Sequence, residues 1–177
     1  YAGVQSWDDW GITVNGMYLD QNSVNTSYAK AAGGFAGSIS GSVLGKKDED
    51  KSGVYAKGIR SVTGGEYAGG CFGIADVSAV ADVSGKGETG LLDQVLQLGS
   101  VNVLDAFRPY VYFGEVSGSA DAGLTVSANT AKEYGQNEEL TYSGCAGGFG
   151  GGLMNGSVKD SHVTVLRHVT APNSTGG

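Results

Sequence analysis

Short runs of apolar and β-branched residues recur along this chain, separated by glycine. Ile12-Thr-Val14, Ile59-Arg-Ser-Val62 and Leu140-Thr-Tyr142 are such runs, as are Ile39 to Leu44, Val77 to Val83 and Val158 to Val165. Within Val77–Val83 apolar and polar positions largely alternate, and Val163-Thr-Val165 continues the habit. A period of two sends successive side chains to opposite faces, so these runs predict strands with one face packed inward. One stretch departs from it. Leu91-Leu92-Asp-Gln-Val95-Leu96-Gln-Leu98 has helical spacing with Gly99 as a stop, and Ser100 to Phe107 could form a second helix ending at Pro109. The pattern therefore predicts a helical insertion at about 86–109, either a partner-binding knob or a plug over an apolar flank.

The glycines are organised. One phrase occurs three times: Tyr28 through Gly33-Gly34-Phe35 to Gly41-Ser42-Val43, Tyr67 through Gly69-Gly70-Cys71-Phe72 to Val80, and Tyr142 through Gly147-Gly148-Phe149 to Gly156-Ser157-Val158. Gly33 and Gly69 are 36 residues apart, Gly69 and Gly147 78, and periods of 20–50 residues mark stacked repeats. The expected fold is all-β: one parallel β-solenoid domain over 1–177, made of degenerate repeats. Glycine pairs would form its corners, and Phe35, Phe72 and Phe149 would lie buried in equivalent places. Cys71 and Cys145 would occupy nearly the same place in stacked repeats, close enough for a disulfide, or be two small buried apolar side chains.

Composition sharpens this picture. Gly makes up 32 of the 177 residues without a Gly-X-Y period, which excludes collagen, and 40% hydrophobic residues exclude general disorder. The net charge of −7 repels a phosphate backbone, so nucleic acid is not an expected partner. No stretch approaches the ~20 apolar residues that span a bilayer, so no membrane insertion is expected; no signal peptide is apparent, and the chain reads as a fragment of something longer.

Groups for chemistry are sparse. His162 and His168 are the only histidines, with no G-x-S-x-G or H-E-x-x-H motif beside them. Asp48-Glu-Asp50-Lys-Ser52-Gly53 begins like a calcium loop, but Ile59 stands where the bidentate Glu belongs and Lys46, Lys47 and Lys51 crowd it. The expectation is therefore no enzyme, no metal and no cofactor. Trp7-Asp-Asp-Trp10 is more suggestive, as an aromatic binding patch or as a cap over the open end of the stack. Trp7 and Trp10, with Leu91, Leu92, Val95 and Phe107 of the insertion, are the candidate binding residues.

The phrase carried by Gly147, Gly148, Phe149, Gly151, Gly156, Ser157, Val158, Ser161 and Val163, and again by Gly33, Gly34, Phe35, Gly37, Gly41, Ser42 and Val43, resembles the GLUG-type repeat. With its flanking strands it covers about half the chain; the second copy departs at Cys71. The resemblance implies an extracellular or wall-bound protein of a Gram-positive bacterium. The whole chain is also similar to modules of large surface proteins of gut Firmicutes, some of which bind immunoglobulin variable domains as superantigens. The implied function is a non-enzymatic module that binds a host protein, immunoglobulin being the sharpest expectation. The alternative is a stalk of a wall-anchored adhesin, or a non-catalytic region of a secreted protease.

Overall fold

The structure is a computed structural model. It describes residues 2–19, 26–28, 30–41, 43–45, 52–76, 108–129, 131–134, 139–142, 144–154 and 156–177. The helical insertion lies outside them apart from Arg108 and Pro109, as do most of the Asp48–Gly53 turn and the Val77–Val83 run. The described residues are all-β and contain no helix.

The chain visits the same sheets in the same order on successive passes. The first pass lays down β1 (Ala2–Gln5), β2 (Ile12–Asn15), β5 (Ala31–Gly33), β6 (Ala36–Ile39) and β7 (Val43–Leu44). The second lays down β8 (Val54–Gly64), β9 (Tyr67–Gly69), β10 (Phe72–Ala75) and β11 (Tyr110–Tyr112). The third supplies β12 (Glu115–Gly118), β13 (Leu124–Ala128), β16 (Cys145–Gly147), β17 (Gly150–Leu153) and β18 (Ser157–Lys159). A fourth contributes β19 (His162–Thr164), β20 (Leu166–Thr170) and β21 (Ser174–Gly176). All pairings between passes are parallel. They make a large sheet in which β8 joins β1, β2, β12 and β13, and smaller sheets ordered β21-β16-β9-β5, β17-β10-β6 and β18-β11-β7. Two antiparallel hairpins, β3 (Met17–Leu19) with β4 (Thr26–Tyr28) and β14 (Ala131–Tyr134) with β15 (Glu139–Tyr142), leave this stack.

The core follows from the alternation, which β8 keeps at its two ends and breaks between Ala56 and Val62. Val54, Ala56, Ile59 and Val62 of β8, Val116 of β12, and Leu124 and Val126 of β13 are buried, joined by Val111 of β11 and Phe72 of β10. Polar neighbours such as Lys57, Arg60 and Ser61 are less enclosed.

The glycine phrases stack in register. Gly33, Gly69 and Gly147 pair across β5, β9 and β16, and each precedes a corner where a Cβ would strike the carbonyl oxygen three residues on. Beyond the corner Ala36, Phe72 and Gly150 are aligned. In the column one residue further, a Cβ on Gly73 would lie 2.6 Å from the Ala32 nitrogen and one on Gly151 2.6 Å from the Ala68 nitrogen. Glycine is required there because two strands approach backbone to backbone.

This register corrects the expectation for Phe72. Cys71, not Phe72, takes the place of Phe35 and Phe149: Phe35 N donates to Cys71 O (2.8 Å) and Cys71 N to Phe149 O (2.7 Å). Phe72 is the most enclosed of the three rings, while Phe35 and Phe149 are half-buried against the core. The cysteine alignment is corrected by the same ladder. Cys145 pairs with Tyr67, four residues before Cys71, and both thiols are free. Burial pushes the Cys71 thiol up to about 12.

Candidate functional site

β1 and β2 both pair with the single strand β8, Gln5 opposite Lys57 and Ile12 opposite Ile59. Six residues, Ser6–Gly11, therefore stand opposite Gly58 alone, and the surplus must leave the sheet. The sequence of this loop fixes its shape. Asp8 Oδ1 accepts from Gly11 N (2.9 Å) and from Ser6 Oγ (3.0 Å), and Asp8 N donates to Ser6 Oγ (3.3 Å). The Gly11 amide first, and the Ser6 hydroxyl next, hold the Asp8 carboxyl below its ordinary value. Gly11 has φ +87°, and a Cβ there would lie 2.5 Å from Ser119 Cβ. The loop thus closes as a small knot of polar contacts with its two indoles outside.

Trp7 is 94% exposed and Trp10 64%. Arg60, projecting from β8, places its guanidinium 3.8 Å from the centroid of the Trp10 ring. Its Nη1 donates to Trp10 O (3.4 Å) and pairs with Asp121 Oδ2 (3.3 Å). Asp121 belongs to the turn Ser119–Gly123 between β12 and β13, and its amide donates to Asp9 O (3.3 Å). Arg167 of β20 donates to Ala122 O of the same turn (3.3 Å). Four passes of the chain therefore buttress one ridge, on which Trp10 is held from one side and Trp7 stands clear.

Of the candidate residues read from the sequence, Trp7 and Trp10 are brought together on this loop; Leu91, Leu92, Val95 and Phe107 lie outside the described residues. Arg60 and Asp121 are the additions. Arg60 is a polar residue beside the buried Ile59, which marks it as outward-facing, but no local signal joins it to partners 50 and 61 residues away. An indole so placed can contribute a large apolar area to a partner at little cost in side-chain entropy.

Elsewhere the outer face of the large sheet carries paired charges. Lys57 is ion-paired with Glu115 and lies over the Tyr55 ring, and the hydrogen bond from Lys57 is the main cause holding the Glu115 carboxyl low. His162 aligns with Glu115 across β19 and β12. Among the described residues no group of three His, Cys, Asp or Glu could hold a metal ion, and no helix is long and apolar enough to cross a membrane. No protein-family model, curated protein or solved structure matches the chain.

Proposed function

We propose that this chain is a β-solenoid module that binds another protein through the Trp7–Trp10 loop. The observation that carries the reading is the 94% exposure of Trp7 on a loop tied internally by Asp8. A cap over the end of the stack would lay its indole against the core; this one projects into solvent instead. Exposed Trp beside Arg, on a preorganised support, is the composition of an interface hot spot. The solenoid reading rests on the parallel return of successive passes to the same sheets, in register at the glycine phrases.

The resemblance to GLUG-type repeats makes the setting a Gram-positive cell surface and the partner a host protein. Immunoglobulin, bound through its variable-domain framework, is the sharpest form of that reading. The rival is a spacer that projects other domains, and the paired, solvated charges of Lys57, Glu115 and Arg60 on the outer faces favour it. The test is binding of polyclonal immunoglobulin to the chain and to its Trp7→Ala variant. Micromolar or tighter binding is expected, weakened about thirty-fold by the substitution, the equivalent of ~2 kcal/mol. An absence of binding at micromolar concentration removes the immunoglobulin partner. A Trp7→Ala variant that binds unchanged removes the loop.

A further inference from the structure

Past the bend of the large sheet one three-residue pattern occurs on every pass. It is Thr13-Val14-Asn15 in β2, Ser61-Val62-Thr63 in β8, Thr125-Val126-Ser127 in β13 and His168-Val169-Thr170 in β20. The register runs without a shift through these three columns. The valines face the core, and Val62 and Val126 are fully buried. The flanking columns face out, half-buried on β8 and β13 and exposed on β2 and β20. They form two polar ranks, Thr13-Ser61-Thr125-His168 and Asn15-Thr63-Ser127-Thr170. β8 and β13 have a strand on either side, so the ranks lie on a flank of the stack and do not depend on where it ends. Their spacing is set by the sheet, about 4.8 Å from strand to strand and about 6.6 Å between alternate residues.

We propose that these ranks bind an extended, uncharged polysaccharide of the cellulose type, laid across the passes with one sugar on each strand. Such a chain repeats at nearly the strand spacing and carries hydroxyls along both edges. Neither rank holds a carboxylate, a lysine or an arginine, in a chain of net charge −7, so the surface suits a neutral ligand. Ser61 Oγ donates to Thr13 Oγ1 (3.3 Å), whereas the hydroxyls of Thr63, Thr125, Ser127 and Thr170 bond to no other described residue. A ligand that displaces their water must offer hydroxyls at the same interval. The side chains are short and the surface shallow, which favours an extended chain over a compact ligand that needs a concave pocket. An aromatic ring stands at the head of the ranks. Arg60, next to Ser61, covers one face of the Trp10 ring at 3.8 Å, and Trp10 remains 64% exposed, with a free face for the C–H side of a sugar. The site does not use Trp7 and does not rest on the protein-binding reading of that residue.

The test is titration calorimetry of the intact chain with cellohexaose. Binding at millimolar concentration or below is expected, with none for maltohexaose, whose coiled chain does not keep the repeat. The double variant Thr63→Val with Thr125→Val retains the branched shapes and removes two hydroxyls, so it should bind about ten-fold more weakly while its urea midpoint does not fall. Ser127→Ala, a smaller change, should weaken binding about three-fold. Trp7→Ala should bind cellohexaose as the parent chain does, so this site and the immunoglobulin contact succeed or fail separately. An absence of cellohexaose binding at millimolar concentration, equal binding of maltohexaose, or unchanged affinity in the folded Thr63/Thr125 and Ser127 variants overturns the proposal. Loss of sugar binding in Trp7→Ala overturns it by assigning the sugar to the loop. Shaping of ice crystals without sugar binding overturns it by assigning the ranks to ordered water.

Discussion

The ring of Phe72 occupies the space that a side chain at Gly150 would need. A Cβ built on Gly150 would fall 2.5 Å from Phe72 Cζ, and Phe72 meets Phe149 edge-to-face at 5.7 Å. The third phrase lacks a side chain at this place because the second one fills it. Gly150→Ala is accordingly expected to destabilise the fold by about 1–3 kcal/mol through overpacking. Phe72→Ala should cost about 3–5 kcal/mol by leaving a cavity. Urea unfolding of the two variants measures both.

Val165 is the counterpart case, a residue where the stack prefers glycine. At the bend within the large sheet Gly11 adjoins Gly58 and Gly123 adjoins Val165, with φ of +87°, +69°, +70° and +57° in that order. A β-branched residue in the left-handed region costs about 1–3 kcal/mol, and glycine returns about 0.5–1 of that as chain entropy. Val165 is 57% exposed, so little packing is lost with it. Val165→Gly should raise stability by about 1 kcal/mol, read as a higher urea midpoint at unchanged slope.

Arg60→Ala separates support from contact at the tryptophan ridge. The guanidinium is partly exposed, so losing its stacking and its Asp121 pair should cost no more than ~1 kcal/mol of stability. Trp10 would lose the cation on its ring. In a Trp7→Phe background, where Trp10 is the sole indole, Arg60→Ala should therefore increase iodide quenching of its fluorescence while the far-ultraviolet spectrum stays constant.

The two cysteines should behave differently. Cys71 is buried and Cys145 half-exposed, so a thiol reagent at neutral pH should modify Cys145 first in the folded chain, and both once it is unfolded without reductant. Finding fewer than two thiols in the unfolded chain would contradict the register described above.

Alkaline stability follows from two groups. Desolvation raises Cys71 from 9.0 to about 12, and desolvation, aided by the Glu66 side chain, raises Tyr67 from 10.0 to about 12. The unfolded chain then releases these protons at lower pH than the folded chain. The stability present below about pH 9 should fall progressively from there toward pH 12. Denaturant midpoints across that range test this, and Cys71→Ala should make the decline shallower.

The all-β class and the glycine corners were legible because a period of two and a repeated Gly-Gly phrase are local signals. Trp7 and Trp10 were legible as a pair for the same reason. The place of Phe72 was not: the single inserted Cys71 shifts one repeat by a residue, and a side-chain count cannot tell which residue then faces which strand. Arg60 and Asp121 were hidden by distance along the chain. They meet because β8 runs unbroken beside two interrupted strands, and that exists only once passes are stacked.

Parallel stacking also sets a timetable for synthesis. β1 and β2 find their hydrogen-bond partners only in Val54–Gly64, and β10 finds its second partner only at Gly150–Leu153. A chain emerging from the ribosome at ~5–20 residues per second thus carries its first strands unpaired for seconds. Contacts this remote in sequence also belong to slow folders, on the millisecond-to-second scale. During that interval the unpaired strands are open to mispairing with neighbouring nascent chains, so the yield of folded protein should depend on how far apart those chains are kept.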